Sequence, residues 1–139
     1  MRYLIIFSFV IGFLLASCGV QKNIDAPDQT VKLENEVAAD DTIDYELIIL
    51  DSRFETFLAT QPSAAYHTQS YYESWNKRYV TEWNTRHSNP LRYGDFYQTK
   101  IEYRPDSNDY GLELNYRLYY YFQFIEQEYG IRLIRRRGN

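Results

Sequence analysis

A chain of 139 residues with 15 basic and 19 acidic side chains carries a formal net charge of −4. That length supplies one small domain and not two, and the charge advertises no strongly charged partner. One cysteine cannot make an internal disulfide, so stability has to come from a packed core.

Arg2 precedes an apolar run over residues 4–15, twelve residues long. That suits a signal peptide and falls short of the ~20 residues of a spanning helix. Leu15-Ala16-Ser17-Cys18 closes the run, with Gly19 next, and this resembles the lipobox at which bacterial lipoproteins are lipidated and cut. The resemblance implies that residues 1–17 are a lipoprotein signal peptide and that Cys18 begins the mature chain with diacylglycerol on its thiol. Gly19 is not the Asp that retains such proteins in the inner membrane, and Val20-Gln21-Lys22-Asn23 lacks the acidic run of a surface-export signal. The expected location is therefore the cell envelope, anchored by lipid in the outer membrane and facing the periplasm, where nucleic acid is no expected partner.

Residues 19–44 hold seven acids (Asp25, Asp28, Glu34, Glu36, Asp40, Asp41 and Asp44) against Lys22 and Lys32, with no aromatic residue. Such a composition buries too little apolar surface to offset chain entropy, so residues 18–44 read as the lipidated cysteine and a disordered acidic tether. Its mean reach would be roughly 28 Å. Residues 45–139, with twelve acids and twelve bases, form the expected globular domain. Its dense basic cluster, Arg135-Arg136-Arg137, reads first as a solvated tail and second as a contact for anionic lipid head groups.

Tyr45 to Leu50 is a short β-branched run that predicts a buried strand, and Asp51 is placed to cap a short helix through Phe54, Phe57 and Leu58. Gln61-Pro62 ends it. Thr68 or Ser70 caps a longer helix to about Arg86, with Tyr72, Trp75, Tyr79, Val80 and Trp83 in one stripe. Glu73 with Lys77 and Glu82 with Arg86 are favourably oriented i,i+4 pairs. Asn89-Pro90 and Tyr93-Gly94-Asp95 break the chain, and residues 98–103 suggest a short strand. Residues 111–129 alternate as a strand does yet also fit a helical face. Nineteen residues exceed the usual ~3–10 of a strand, and Gly130 suits a helix C′ position, so a helix is predicted. Ile131-Arg132-Leu133-Ile134 reads as a last strand. The expected fold is a single helix-dominated α+β domain, β-α-α-(β)-α-β, with a two- or three-stranded sheet and a tyrosine-rich core.

Tyr79-Val80-Thr81-Glu82-Trp83-Asn84, Asn89-Pro90, and Asp109-Tyr110-Gly111-Leu112-Glu113-Leu114-Asn115-Tyr116 resemble segments of a family of small lipoproteins from Bacteroidetes-type bacteria. The resemblance implies a Gram-negative envelope and carries no chemistry with it.

Twenty-one aromatic residues lie between positions 45 and 129, fourteen of them tyrosine. Each tyrosine buries an apolar face while its hydroxyl seeks a partner. Tyr71, Trp75, Tyr79, Trp83, Tyr93 and Tyr110 are the candidate binding surface, a stacking platform for sugar rings; their helical spacing serves a core stripe equally. Glu73 and Glu82 are nine residues apart and face opposite sides of a helix, so they make no catalytic pair. His67 and His87 flank the long helix, roughly 30 Å apart at 1.5 Å per residue, too far for joint metal ligation. Asp106, Asn108 and Asp109 resemble an alternating-oxygen calcium loop but lack its glycine and terminal glutamate, and read better as a polar turn. No catalytic constellation, metal site or cofactor motif is found. The expectation is an envelope lipoprotein whose small non-enzymatic domain binds a protein partner or supports assembly at the membrane. A glycan-binding module is the alternative, and a hydrolase stands third.

Overall fold

The computed structural model describes residues 31–37 and 43–135. Its first element falls where composition suggests a tether. Strand β1, Val31–Val37, pairs antiparallel with β2, Ile43–Ile49, from Val31 opposite Ile49 to Val37 opposite Ile43. A strand needs apolar residues only at every second position to cover one face. Val31 and Leu33 meet the core together with Tyr45, Leu47 and Ile49, while Lys32, Glu34 and Glu36 stay in solvent. The domain boundary expected at Tyr45 therefore moves back to Val31. The leader, Cys18 and residues 19–30 lie outside the described residues, as do residues 38–42. The hairpin's outer face sets Glu34 opposite Glu46, and like charges directly opposed in a ladder destabilise it.

Helix α1, Arg53–Leu58, has Ser52 and not the expected Asp51 at its N-cap position, while the Asp51 carboxylate accepts the Arg53 amide at 3.0 Å. A 3₁₀ turn, Ala64–Tyr66, leads to α2, Gln69–His87, and the Thr68 hydroxyl caps it by accepting the Tyr71 amide at 3.2 Å. A single turn of helix, α3, Pro90–Tyr93, follows with proline at its start, where no amide is needed. Helix α4, Gly111–Tyr129, settles the ambiguous segment as a helix and ends on left-handed Gly130 at φ 65°. Tyr116, Tyr119, Tyr120, Tyr121, Phe122 and Phe124 are all buried, so the helix is covered on more than one side, as a nearly all-round apolar helix must be. The architecture is a small α+β domain, with four α-helices and one two-stranded sheet among the described residues.

The two long helices run in the same direction. Tyr72 meets Tyr116, Tyr79 stacks on Phe122 with ring centres 4.9 Å apart, and Trp83 meets Tyr121 at 6.0 Å. Both C-termini therefore lie at one end of the domain. At that end Trp83 Nε1 donates to the Thr99 carbonyl, and the Thr99 hydroxyl donates to the carbonyl of Val31, both at 2.7 Å. We call it the base; the Asn35–Tyr45 end of the sheet and both helix N-termini lie at the opposite end, the tip.

Two expected strands are absent, and helix side chains explain why. Residues 98–103 form no ladder because α2 takes their backbone groups instead. Asn84 clamps Ile101, accepting from its amide and donating to its carbonyl at 2.9 Å each, while His87 Nδ1 lies 2.7 Å from the Tyr97 carbonyl. Residues 131–134 likewise join no sheet. The Arg86 guanidinium holds them, donating to the Arg132 carbonyl at 3.0 Å and the Leu133 carbonyl at 3.4 Å. Among the described residues the order is therefore β-β-α-α-α-α, not β-α-α-(β)-α-β.

Candidate functional site

Three of the six candidate surface residues belong to the core. Trp83 is 0% exposed, Tyr79 1% and Tyr110 7%. Trp83 sits among Phe96, Tyr97, Tyr121 and Phe122, and the Tyr79 hydroxyl accepts from Gln123 at 3.0 Å. Tyr110 stacks on Tyr103 with centres 5.0 Å apart, and its hydroxyl accepts from the Arg104 amide and from Asn108. With Tyr45 it lines a shallow groove of about 550 Å³ between the hairpin and the loop of Glu102, Arg104 and Asn108. Tyr93 is half-buried at the base, between the guanidinium groups of Arg86 and Arg92 at 5.4 and 5.2 Å.

Tyr71 and Trp75 remain half-buried on α2 and head a strip of rings. Tyr66, 67% exposed, meets the His67 ring edge-on at 4.7 Å, and His67 stacks on Tyr71 at 3.8 Å. Tyr71 meets Trp75 at 6.5 Å, and the Arg78 guanidinium lies 4.5 Å over the Trp75 ring. Arg78 stands three residues after Trp75, a spacing that brings side chains together on a helix and that made this contact readable in advance. His67 precedes the helix cap, so helical periodicity gives no hint of its stacking. The strip covers its own ring faces: one face of Tyr71 lies against imidazole and one face of Trp75 beneath a guanidinium. The strip thus presents tyrosine, tryptophan and arginine side chains that are half-buried or exposed.

The other polar groups singled out in the sequence serve the fold. Glu73 accepts from Gln69 at 2.8 Å, and Glu82 pairs with Arg86 at 2.8 Å. Asp106 pairs with Lys77 at 2.6 Å; Asp109 accepts the Gly111 amide and the Gln69 amide nitrogen, which hold its carboxyl below the usual value. Burial raises the Tyr97 hydroxyl despite the opposing bond from Arg86, and burial raises that of Tyr103. Beneath the strip, Tyr103 donates to Asn115 Oδ1 at 2.5 Å and Asn76 donates to the Asn115 carbonyl at 2.8 Å. Asn76 and Asn84, which follow the two tryptophans of α2, are therefore both backbone anchors. Among the described residues no three His, Cys, Asp or Glu side chains stand together as metal ligands, and no helix is long and apolar enough to cross a membrane.

Residues 4–136 match the model of a family of unknown function, DUF6146. The chain belongs to that family. No curated protein and no solved structure matches it. The family's span takes in the apolar leader, Cys18, both strands and all four helices of the domain.

Proposed function

We propose that this DUF6146 chain is an envelope lipoprotein, anchored in the outer membrane through lipid on Cys18 and facing the periplasm. Its small domain is an interaction module that meets a protein partner through Tyr66, Tyr71, Trp75 and Arg78. One observation supports the anchor above others. The family match begins at residue 4, so the apolar leader and Leu15-Ala16-Ser17-Cys18 lie inside the shared span and not ahead of it. The partner surface is supported by the strip's composition, since tyrosine, tryptophan and arginine are the residues that most often dominate protein interfaces.

Metabolic labelling with a palmitate analogue tests the anchor. The wild-type protein takes up label and partitions into detergent; Cys18→Ser does neither, and a wild type without label refutes the reading. The glycan alternative rests on the half-buried rings of Tyr71 and Trp75. Retention on peptidoglycan or surface polysaccharide that Trp75→Ala abolishes, with thermal stability kept, would favour it over the protein partner.

A further inference from the structure

The base of the domain differs from the rest of its surface. Leu91 on α3 is 105% exposed, and Leu50, at the end of β2, is 52% exposed; with Tyr66 they are the exposed large apolar side chains among the described residues. Arg92 follows Leu91, and Arg135 lines a shallow groove with Glu126 and Arg132; both are exposed and neither forms an ion pair among the described residues. The base carries acids too, and most are committed. Asp51 and Glu128 pair with Arg53, Glu82 with Arg86 and Glu126 with Arg132. Two of those acids share Arg53, so one carboxylate and exposed Asp95 stand against Arg92 and Arg135 and the described base is balanced; Arg136 and Arg137 in the sequence add two positive charges. At the tip Glu36, Glu46 and Asp109 are exposed with no ion pair among the described residues, while Glu34 pairs with Lys32 and Glu102 with Lys100 and Arg104.

The base is also where the chain arrives from Cys18. Val31 pairs with Ile49, next to Leu50, and its carbonyl is held by Thr99 under Trp83. Whatever form residues 19–30 take, they span at most about 45 Å at the chain's full reach of ~3.5 Å per residue. Helix α4 alone is about 28 Å long. An orientation with the tip toward the bilayer would spend most of that reach climbing the domain, and would press carboxylates against lipid phosphates.

We propose that the base, through Leu91, Arg92, Tyr93 and Arg135, docks on the anionic surface of the membrane that holds the lipid, leaving the ring strip and the tip turned outward. This rests on the anchor reading of Cys18. An apolar side chain beside basic ones is the pattern of a peripheral contact, in which the apolar group enters the interfacial layer and the cations meet phosphate. Each basic group near an anionic surface strengthens contact by about fivefold, and salt screens it.

The test uses the full lipidated protein. Cys18 is the sole native cysteine, so a Leu91→Cys variant, or Ser107→Cys at the tip, offers one thiol for an environment-sensitive fluorophore. Each is reconstituted in vesicles of phosphatidylcholine alone or with one quarter phosphatidylglycerol. The expected result is a blue-shifted Leu91 probe, quenched by lipid-borne spin labels, in the phosphatidylglycerol vesicles only; the Ser107 probe stays aqueous in both. High salt reverses the shift, and Arg92→Gln with Arg135→Gln weakens docking on the order of 25-fold without changing thermal unfolding. If the Leu91 probe matches the Ser107 probe in both vesicles while the protein still floats with them, the docked base is wrong and the anchor stands. If the protein floats with neither, the anchor is wrong and the proposal falls with it.

Discussion

Raising the pH should unfold this domain in one cooperative step, because its buried tyrosines lose their protons far more easily in the unfolded chain. Burial pushes the hydroxyls of Tyr103 and Tyr121 well above the ordinary tyrosine value of about 10 and raises that of Tyr97 as well, and all three are less than a tenth exposed. Below about pH 10 both states keep the proton and the contribution is whole. Above it the unfolded state releases protons that the folded state retains, so stability falls as pH rises toward the folded values. One such group costs about 1.4 kcal/mol per pH unit, and three give a slope of roughly 4 kcal/mol per unit. Tyr120, pushed up to about 12 by burial, steepens it over its own range. For a stability of ~5–15 kcal/mol the balance is exhausted within about one to three units above pH 10. Tyrosinate absorbance and the helical circular dichroism signal, followed together, should change in one transition. Tyr121→Phe sharpens the test, since the Tyr121 hydroxyl has no hydrogen-bond partner among the described residues. The variant should gain about 1 kcal/mol at neutral pH and unfold at higher pH. Complete tyrosine ionisation with the helices intact, or a Tyr121→Phe variant that unfolds at lower pH, would refute the reasoning.

Asn84→Ala strips both partners from the Ile101 backbone and should cost about 2–6 kcal/mol in urea unfolding, at ~1–3 kcal/mol for each part-buried group left unsatisfied. Truncation before Val31 should leave stability within roughly 0.5 kcal/mol. Truncation before Tyr45 removes β1 and the buried Val31, and its thermal unfolding should show a loss of about 2 kcal/mol or more; equal stability of the two truncated forms would restore the boundary to Tyr45. Glu46→Lys replaces a like-charge pair across the hairpin with an opposite one and should raise stability by ~0.2–1 kcal/mol at low salt, an increment that denaturant titration resolves.

The helices were legible because their signals are local. Thr68 caps α2, Gly130 closes α4, and the spacing of Tyr72, Tyr79, Val80 and Trp83 marks the face that is buried. Strand β1 was not, since charge composition averages over residues that a pleat separates: Val31 and Leu33 face the core while Lys32 and Glu34 face water. The segments at 98–103 and 131–134 are apolar enough for strands, but whether such a run joins a sheet depends on who satisfies its backbone. Here Asn84, Trp83 and Arg86 do so, from a helix no local pattern ties to them. The surface was half legible for a related reason. Spacing places Trp75, Tyr79 and Trp83 on one stripe, and only the position of α4 decides that Tyr79 and Trp83 are covered while Trp75 stays half-exposed.

That α2 and α4 are parallel also governs the order in which the chain can come together. Antiparallel neighbours joined by a short turn would zip as they leave the ribosome. In this chain the Tyr79 hydroxyl must wait for Gln123, 44 residues later, and Asn76 for Asn115, 39 residues later. Until α4 is in place, α2 keeps its aromatic stripe bare. Contacts so distant in sequence raise the entropic barrier to folding. Chains truncated between α2 and α4 should accordingly stay bound to chaperones in a binding assay, and the full-length domain should not.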